Sequence, residues 1–223
     1  MSPRTRILDA AMLVFRRQGF RRSSIEQAAE AAGLTRQALY HHFKSKEALF
    51  RAVIERLYQE SFAAETVATA AAEKAGGSLA DIIVLAVSAK LGQMAKSLDG
   101  SPHVEELFSE HLAQARDLYQ KYAAAHGAQL AATIARVCRK QGLTPNAGMT
   151  PRDLARCIEM TVNGTKSAYP AMQPANAFLR DLEIMLRTFL AGAVSPAKLR
   201  TAKPKPAKKS VRKSASQNKG YRK

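Results

Sequence analysis

Apolar residues along the first 195 positions recur three and four apart, the spacing that gives a helix one buried face. Ile7, Ala11, Val14 and Phe15 form one such stripe, predicting a helix from about Pro3 to Gln18 that stops at Gly19. Ile25, Ala28, Ala29 and Ala32 form a second. Ser23 or Ser24, with Glu26 or Gln27 three residues on, supplies a capping-box pattern at its start, and Gly33 ends it. A short third helix begins at Thr35, with Leu39 and Phe43 four apart on its inner face. Ser45 can cap a fourth, which runs through Leu49, Phe50, Val53, Ile54, Leu57 and Phe62 to about Lys74, before Gly76-Gly77. Ser78 can cap a fifth at about 79–97, closed by Asp99-Gly100. Ser101-Pro102 reads as a cap with proline at the first helical position. Helical pattern then continues to about Arg139, with a break expected near His111 or Gly127, and ends at Gln141-Gly142. Thr150-Pro151-Arg152-Asp153 repeats the cap-proline device and opens a helix to about Tyr169. Pro170 and Pro174 bracket a loop, and a last helix covers about 175–194. No stretch alternates as a strand does, so the expected fold is all-α.

The segment from Ser23 to Phe50 differs from the others in its outer face. Arg36, Gln37, Tyr40 and His41 project from the second of two short helices joined by a glycine turn. A polar, cationic outer face on such a unit is the helix-turn-helix arrangement that enters the DNA major groove. Arg36 and Gln37 lie on the first turn of that helix, where side chains reach base edges. Arg suits guanine O6/N7 and Gln suits adenine N6/N7. Arg16, Arg17, Arg21 and Arg22 cluster nearby, and at least one is expected on a phosphate.

The run LTRQALYHHFKSKEAL resembles the signature of the tetracycline-repressor (TetR) family of bacterial transcriptional regulators. The resemblance rests on Leu39-Tyr40, His42-Phe43 and Ser45-Lys46-Glu47-Ala48-Leu49, and upstream on ILDAAMLVFRRQGFRRSSIEQAAEAAG. Gln37 departs from the glycine that many members carry, so the base preference is not legible. The resemblance implies a three-helix DNA-binding head over residues 1–50 and a helical ligand-binding and dimerisation body over 51–195. It places Tyr40, His41, His42 and Lys46 against phosphates, with hydroxyl contacts from Thr35 and Ser24. It implies a homodimer on a palindromic operator, acting as a ligand-released repressor.

The last helix, with Phe178, Leu182, Met185, Leu186 and Phe189, is apolar over more than the roughly 100° stripe one core needs. The resemblance pairs this helix and its predecessor, with Leu154, Ile158 and Val162, against their copies in a two-fold dimer. It also implies a pocket between body helices, expected to be lined by Phe62, Leu91, Met94, Phe108, Leu112, Tyr119, Val137 and Met160.

Charge is distributed unevenly. Residues 1–50 hold nine Lys/Arg against four Asp/Glu, residues 51–195 fifteen against fourteen, and residues 196–223 eleven against none. The near-neutral body suggests a mostly apolar small effector. The two cationic ends suggest double-stranded DNA. The tail over 196–223, rich in Lys, Arg, Pro and Ala, lacks the apolar residues a core needs and is expected to be disordered. No run approaches the roughly 18 apolar residues of a membrane span, and the N-terminus lacks a secretory pattern. Cys138 and Cys157 have neither CxxC nor metal-ligand spacing, and His103, His111 and His126 read as surface or core residues. No nucleophile with its base, paired carboxylates or phosphate loop is present. The sequence therefore predicts no enzyme, cofactor or metal, and a bacterial cytoplasmic setting. The alternative is a nucleoid-associated architectural protein that coats DNA through the tail.

The tail's charge has a direct test, since each neutralised phosphate contributes roughly −0.9 to the slope of log affinity against log salt. Deleting residues 196–223 should weaken binding to random duplex DNA and flatten that slope. The footprint on a specific site should be unchanged. An unaltered slope would show that the tail does not touch DNA.

Overall fold

The computed structural model describes residues 2–197. Ser2 accepts a hydrogen bond from the Thr5 amide and starts α1 (Pro3–Arg22), where proline at the first turn loses no helical bond. Gly19 breaks this helix with φ at +78°, a conformation L side chains rarely adopt. A Cβ at that point would also stand 2.4 Å from the Glu106 carboxylate and displace it from the Arg21 amide. Ser24 closes a capping box with Gln27 and starts α2 (Ile25–Ala31). Gly33, at φ +66°, turns the chain into α3 (Arg36–His42), which Thr35 caps through the Ala38 amide. Leu39 and Phe43 point inward as their spacing requires. They join Ile7, Ala11, Phe15, Phe20, Ile25, Ala28, Ala29, Leu49 and Phe50 in the core of the head. Phe15, Phe20 and Phe50 interlock there, with ring centroids 4.7–6.0 Å apart.

Ser45 caps α4 (Lys46–Lys74), a helix of 29 residues that leaves the head and runs the length of the body. It packs along α5 (Leu79–Leu98), whose capping box is Ser78 with Asp81. Then come α6 (Val104–Gln114), α7 (Arg116–Gln141), α8 (Pro151–Ala168), opened by the Thr150–Asp153 capping box, and α9 (Ala175–Ala193). A single 3₁₀ turn (Pro170–Met172) separates the last two. α8 and α9 pack on one another, α7 packs against α8, and α9 against α5. No helix of the described residues is long and apolar enough to cross a membrane.

The all-α expectation holds, with several local corrections. Ser101-Pro102 does not start a helix. The Ser101 hydroxyl donates to the Arg16 carbonyl and accepts from the His103 amide, and α6 begins two residues later. The break between α6 and α7 falls at Ala115, a fully buried residue with φ −139°, and not at His111 or Gly127. Gly127 stays helical, and its missing side chain leaves room for the Glu159 carboxylate from α8. A short antiparallel ladder joins β1 (Leu143–Pro145) to β2 (Val194–Pro196). Ser195 and Pro196 therefore belong to the folded body, tied by the Ser195 hydroxyl to Asn146. The remainder of the predicted tail, from 198 on, lies outside the described residues.

The largest correction concerns the last two helices. Leu154, Ile158, Val162, Phe178, Leu182 and Leu186, expected at a dimer interface, are all buried within the single chain. Their breadth of apolar surface is used up by α5 and α7 together with the other helix of the pair. Met185 is exposed and Phe189 half-buried. Met160, expected in the pocket, instead faces outward from α8 at 63% exposure, alongside Ile184 and Met185 on α9 at 56% and 54%.

Candidate nucleic-acid interface and body cavity

The outer face of α3 is held by its own short-range chemistry. Thr35 uses its hydroxyl oxygen as a cap, which leaves the hydroxyl proton for an outside acceptor. Gln37, His41 and His42 are exposed. Arg36 ion-pairs with Glu26 of α2 at 2.7 Å, and its guanidinium lies 5.4 Å from the centroid of the Tyr40 ring. Both contacts hold Arg36 in its charged form at the exposed N-terminal end of α3. Sequence spacing brings these groups together as expected.

Lys46 is different. Its ammonium donates to the carbonyls of Phe20, Arg21 and Ser23 at 2.9, 3.3 and 3.1 Å and sits over the Phe20 ring. All three donors are satisfied inside the head, where they stitch the end of α1 to the start of α4. Lys46 acts here as a structural clasp, not as a free phosphate ligand. Two of the clustered arginines are also committed. Arg16 donates to the Asp99 carbonyl. Arg21 pairs with Glu110 of α6 at 2.8 Å, and its backbone amide donates to Glu106. Arg17 and Arg22 remain exposed and make no ion pair among the described residues. The Arg21 contacts tie the head to α6, a link that no local sequence signal announces.

One turn past Glu106 and next to Glu110 on that helix, His111 faces an open-mouthed cavity of about 410 Å³ lined by α4 to α8. Of the residues expected to line a pocket, Leu91, Met94, Phe108, Leu112 and Tyr119 do so. Phe62 lies just behind, edge-on to the lining Tyr122. Val137 is buried in the core and Met160 is on the surface. Sequence reading missed the polar wall: Tyr58, Lys90, His111, His126, Glu159, Asn163 and Lys166. The body's near-neutral total concealed opposite charges that face inward, so the mostly apolar lining also carries charged and hydrogen-bonding groups. Tyr58 and His111 share a buried 2.8 Å hydrogen bond, and Tyr58 stacks on Tyr122 at 4.5 Å. Burial, aided by the nearby Lys166 charge, pushes the His111 imidazole down to about 4. Among the described residues no group of His, Cys, Asp and Glu could hold a metal ion.

Residues 7–53 match the family model described as bacterial regulatory proteins, tetR family. Over 51 residues the chain is 45% identical to the HTH-type transcriptional regulator UidR of Escherichia coli, which covers 23% of this chain and 26% of UidR. The chain thus spans about a quarter of the length of that curated relative. Two solved structures extend the likeness to the whole fold. A putative TetR-family transcriptional regulator from Rhodococcus sp. superposes with a TM-score of 0.62 at 19% identity, over 87% of this chain and all of that one. SmeT, the repressor of the Stenotrophomonas maltophilia multidrug efflux pump SmeDEF, superposes with a TM-score of 0.60 at 23% identity, over 86% of this chain and 90% of that one. At these identities the structures speak for the fold alone. The resemblances are all to regulators and lend the architectural alternative no support.

His111 makes the cavity's state measurable. Unfolded, it takes up its proton near pH 6.5; folded, only near 4. The unfolded state binds more protons across that window, so stability falls as pH drops from 6.5 towards 4. The Tm of the wild type should fall further between pH 7 and pH 5 than that of His111→Gln, whose amide keeps a partner for Tyr58. Equal falls would mean that His111 is not held neutral.

Proposed function

We propose that this chain is a member of the tetR family of bacterial regulatory proteins and a sequence-specific repressor of transcription. It acts in the bacterial cytoplasm as a homodimer on a two-fold operator and is released by a small molecule in the body cavity. The observation that carries this reading is the exposed N-terminal end of α3, where Arg36 and Gln37 stand clear of a head that matches the family over residues 7–53. Arg36 exchanges its surface pairing with Glu26 for a base edge, and Gln37, Tyr40, His41, His42 and the hydroxyls of Thr35 and Ser24 complete the contact. Arg17 and Arg22 add phosphate contacts.

The head and cavity share two connections. α4 contributes Phe50 to the aromatic core of the head and Tyr58 to the cavity wall. α6 contributes Glu106 and Glu110 to the head and Phe108, His111 and Leu112 to the cavity. A ligand that prefers one setting of these helices shifts the population of head orientations, and the DNA-competent spacing with it. The dimer face is formed by the outward sides of α8 and α9, where Met160, Ile184 and Met185 stand exposed. Because Leu186 is fully buried within the chain, a charge there tests folding, whereas a charge at Ile184 tests the interface.

Selection from a random duplex library should return a motif with two-fold symmetry. Arg36→Ala should cost roughly 1–3 kcal/mol on that motif and relax the preference at one base pair per half-site. An unchanged preference would place the reading elsewhere. Ile184→Glu should yield a folded monomer by light scattering, with operator binding lost, since an unpaired charge is costly in an apolar interface. A dimer that still binds DNA would move the interface off α9.

A further inference from the structure

The cavity wall combines two features that a pocket for a neutral apolar molecule does not need. The first is a pair of lysines, Lys90 on α5 and Lys166 on α8, both half-buried and both lining the same space. Among the described residues neither ammonium makes a hydrogen bond or an ion pair. The nearest carboxylates, Glu65 and Glu159, lie close enough to act on Lys90 without forming an ion pair with it. Glu65 and Glu159 approach His126 from either side, at 3.4 Å from Nε2 and 3.9 Å from Nδ1. Lys90 instead lies 5.4 Å from the centroid of the Phe62 ring, a weaker partner than a carboxylate. Burial lowers both lysines, Lys90 to about 8, and the Lys166 charge lowers Lys90 further against the pull of Glu65 and Glu159. Two like charges thus share a partly desolvated space, where an unpaired ammonium is costly.

The second feature is a wall of ring faces. Tyr58 and Tyr122 stack within 9° of parallel, Phe62 meets Tyr122 edge-on, and Phe108 and Tyr119 continue the lining. The Tyr58 hydroxyl is taken up by His111, so this side offers mainly apolar surface. The cavity, at about 410 Å³, is within the size range of small-molecule sites.

We propose that the cavity selects an organic anion, with a flat apolar body against the Tyr58–Tyr122 wall and one acidic group held by Lys90 and Lys166. This rests on the reading of the cavity as the effector site and adds the chemical class of the effector. The anion supplies the charge both ammonium groups lack, and its rings replace water on the aromatic side. A neutral apolar ligand would fill the same wall but leave the two cations without a bound counter-charge.

The test uses the full-length chain. It contains no Trp, so Leu112→Trp, at a half-exposed position on the cavity wall, introduces a single reporter. The probes are 1-anilinonaphthalene-8-sulfonate and N-phenyl-1-naphthylamine, which share a ring system and differ by the sulfonate. Both should quench the reporter saturably. Adding Lys90→Met and Lys166→Met should weaken the sulfonate probe about tenfold or more and leave the neutral probe within about twofold, because only the sulfonate loses charge-assisted bonds. Retained binding of the neutral probe shows that the variant is folded. If the double variant loses both probes, each single variant and its Lys→Arg counterpart are read in the same way, and Arg should restore the sulfonate probe alone. Equal effects on the two probes throughout would overturn the anion assignment and leave the effector site standing. No quenching by either probe in the starting protein would overturn the effector site itself.

Discussion

A single helix belongs to two cores, and this constraint organises the molecule. At 1.5 Å per residue the 29 residues of α4 extend about 43 Å. Leu49, Phe50 and Val53 close the head, Tyr58 stands two turns on in the cavity wall, and Glu65 is buried two turns further behind His126. A rigid helix cannot change its setting at one end without changing it at the other. The ion pair of Arg21 with Glu110 and the clasp of Lys46 on the end of α1 remove much of the remaining freedom of the head. The head is thus joined to the body through α4 and α6.

The two ends of α4 bury different chemistry. The core of the head is apolar and aromatic, with Ser23 as its buried polar side chain, satisfied by the Phe20 carbonyl. The body buries Glu65, Glu110, His111 and His126. Glu65 Oε2 and His126 Nε2 find no hydrogen-bond partner among the described residues. Buried polar groups of this kind cost stability, and a fold without a use for them replaces them with apolar residues. His111 and His126 line the cavity, with Glu65 beside His126, which agrees with a body shaped for a ligand that has a polar group.

What the sequence revealed and what it hid follow from the range of the interactions. Caps at Ser24, Ser78 and Thr150 act within four residues, and all three caps were legible, although the full capping box was read only at the first. So was the inner face of α3, because helical spacing alone fixes Leu39 and Phe43. The clasp of Lys46 was not, because its three acceptors lie 23 to 26 residues away. Ser101-Pro102 carries a helix-start signal that the Arg16 carbonyl, 85 residues distant, overrides. Leu186 read as surplus apolar surface because one sequence does not reveal how many neighbours a helix has. The cavity lysines were hidden by a net charge that counts residues without saying where they face.

The central claim is that cavity and DNA-reading face are coupled through α4 and α6, and coupling is reciprocal by thermodynamic necessity. The most direct measurement is the affinity of the cavity for 1-anilinonaphthalene-8-sulfonate, read from the Leu112→Trp reporter with and without a saturating duplex that carries the selected two-fold motif. The account predicts weaker probe binding in the DNA complex, by the same factor as the probe weakens DNA binding. Identical probe affinity in the two states would contradict it.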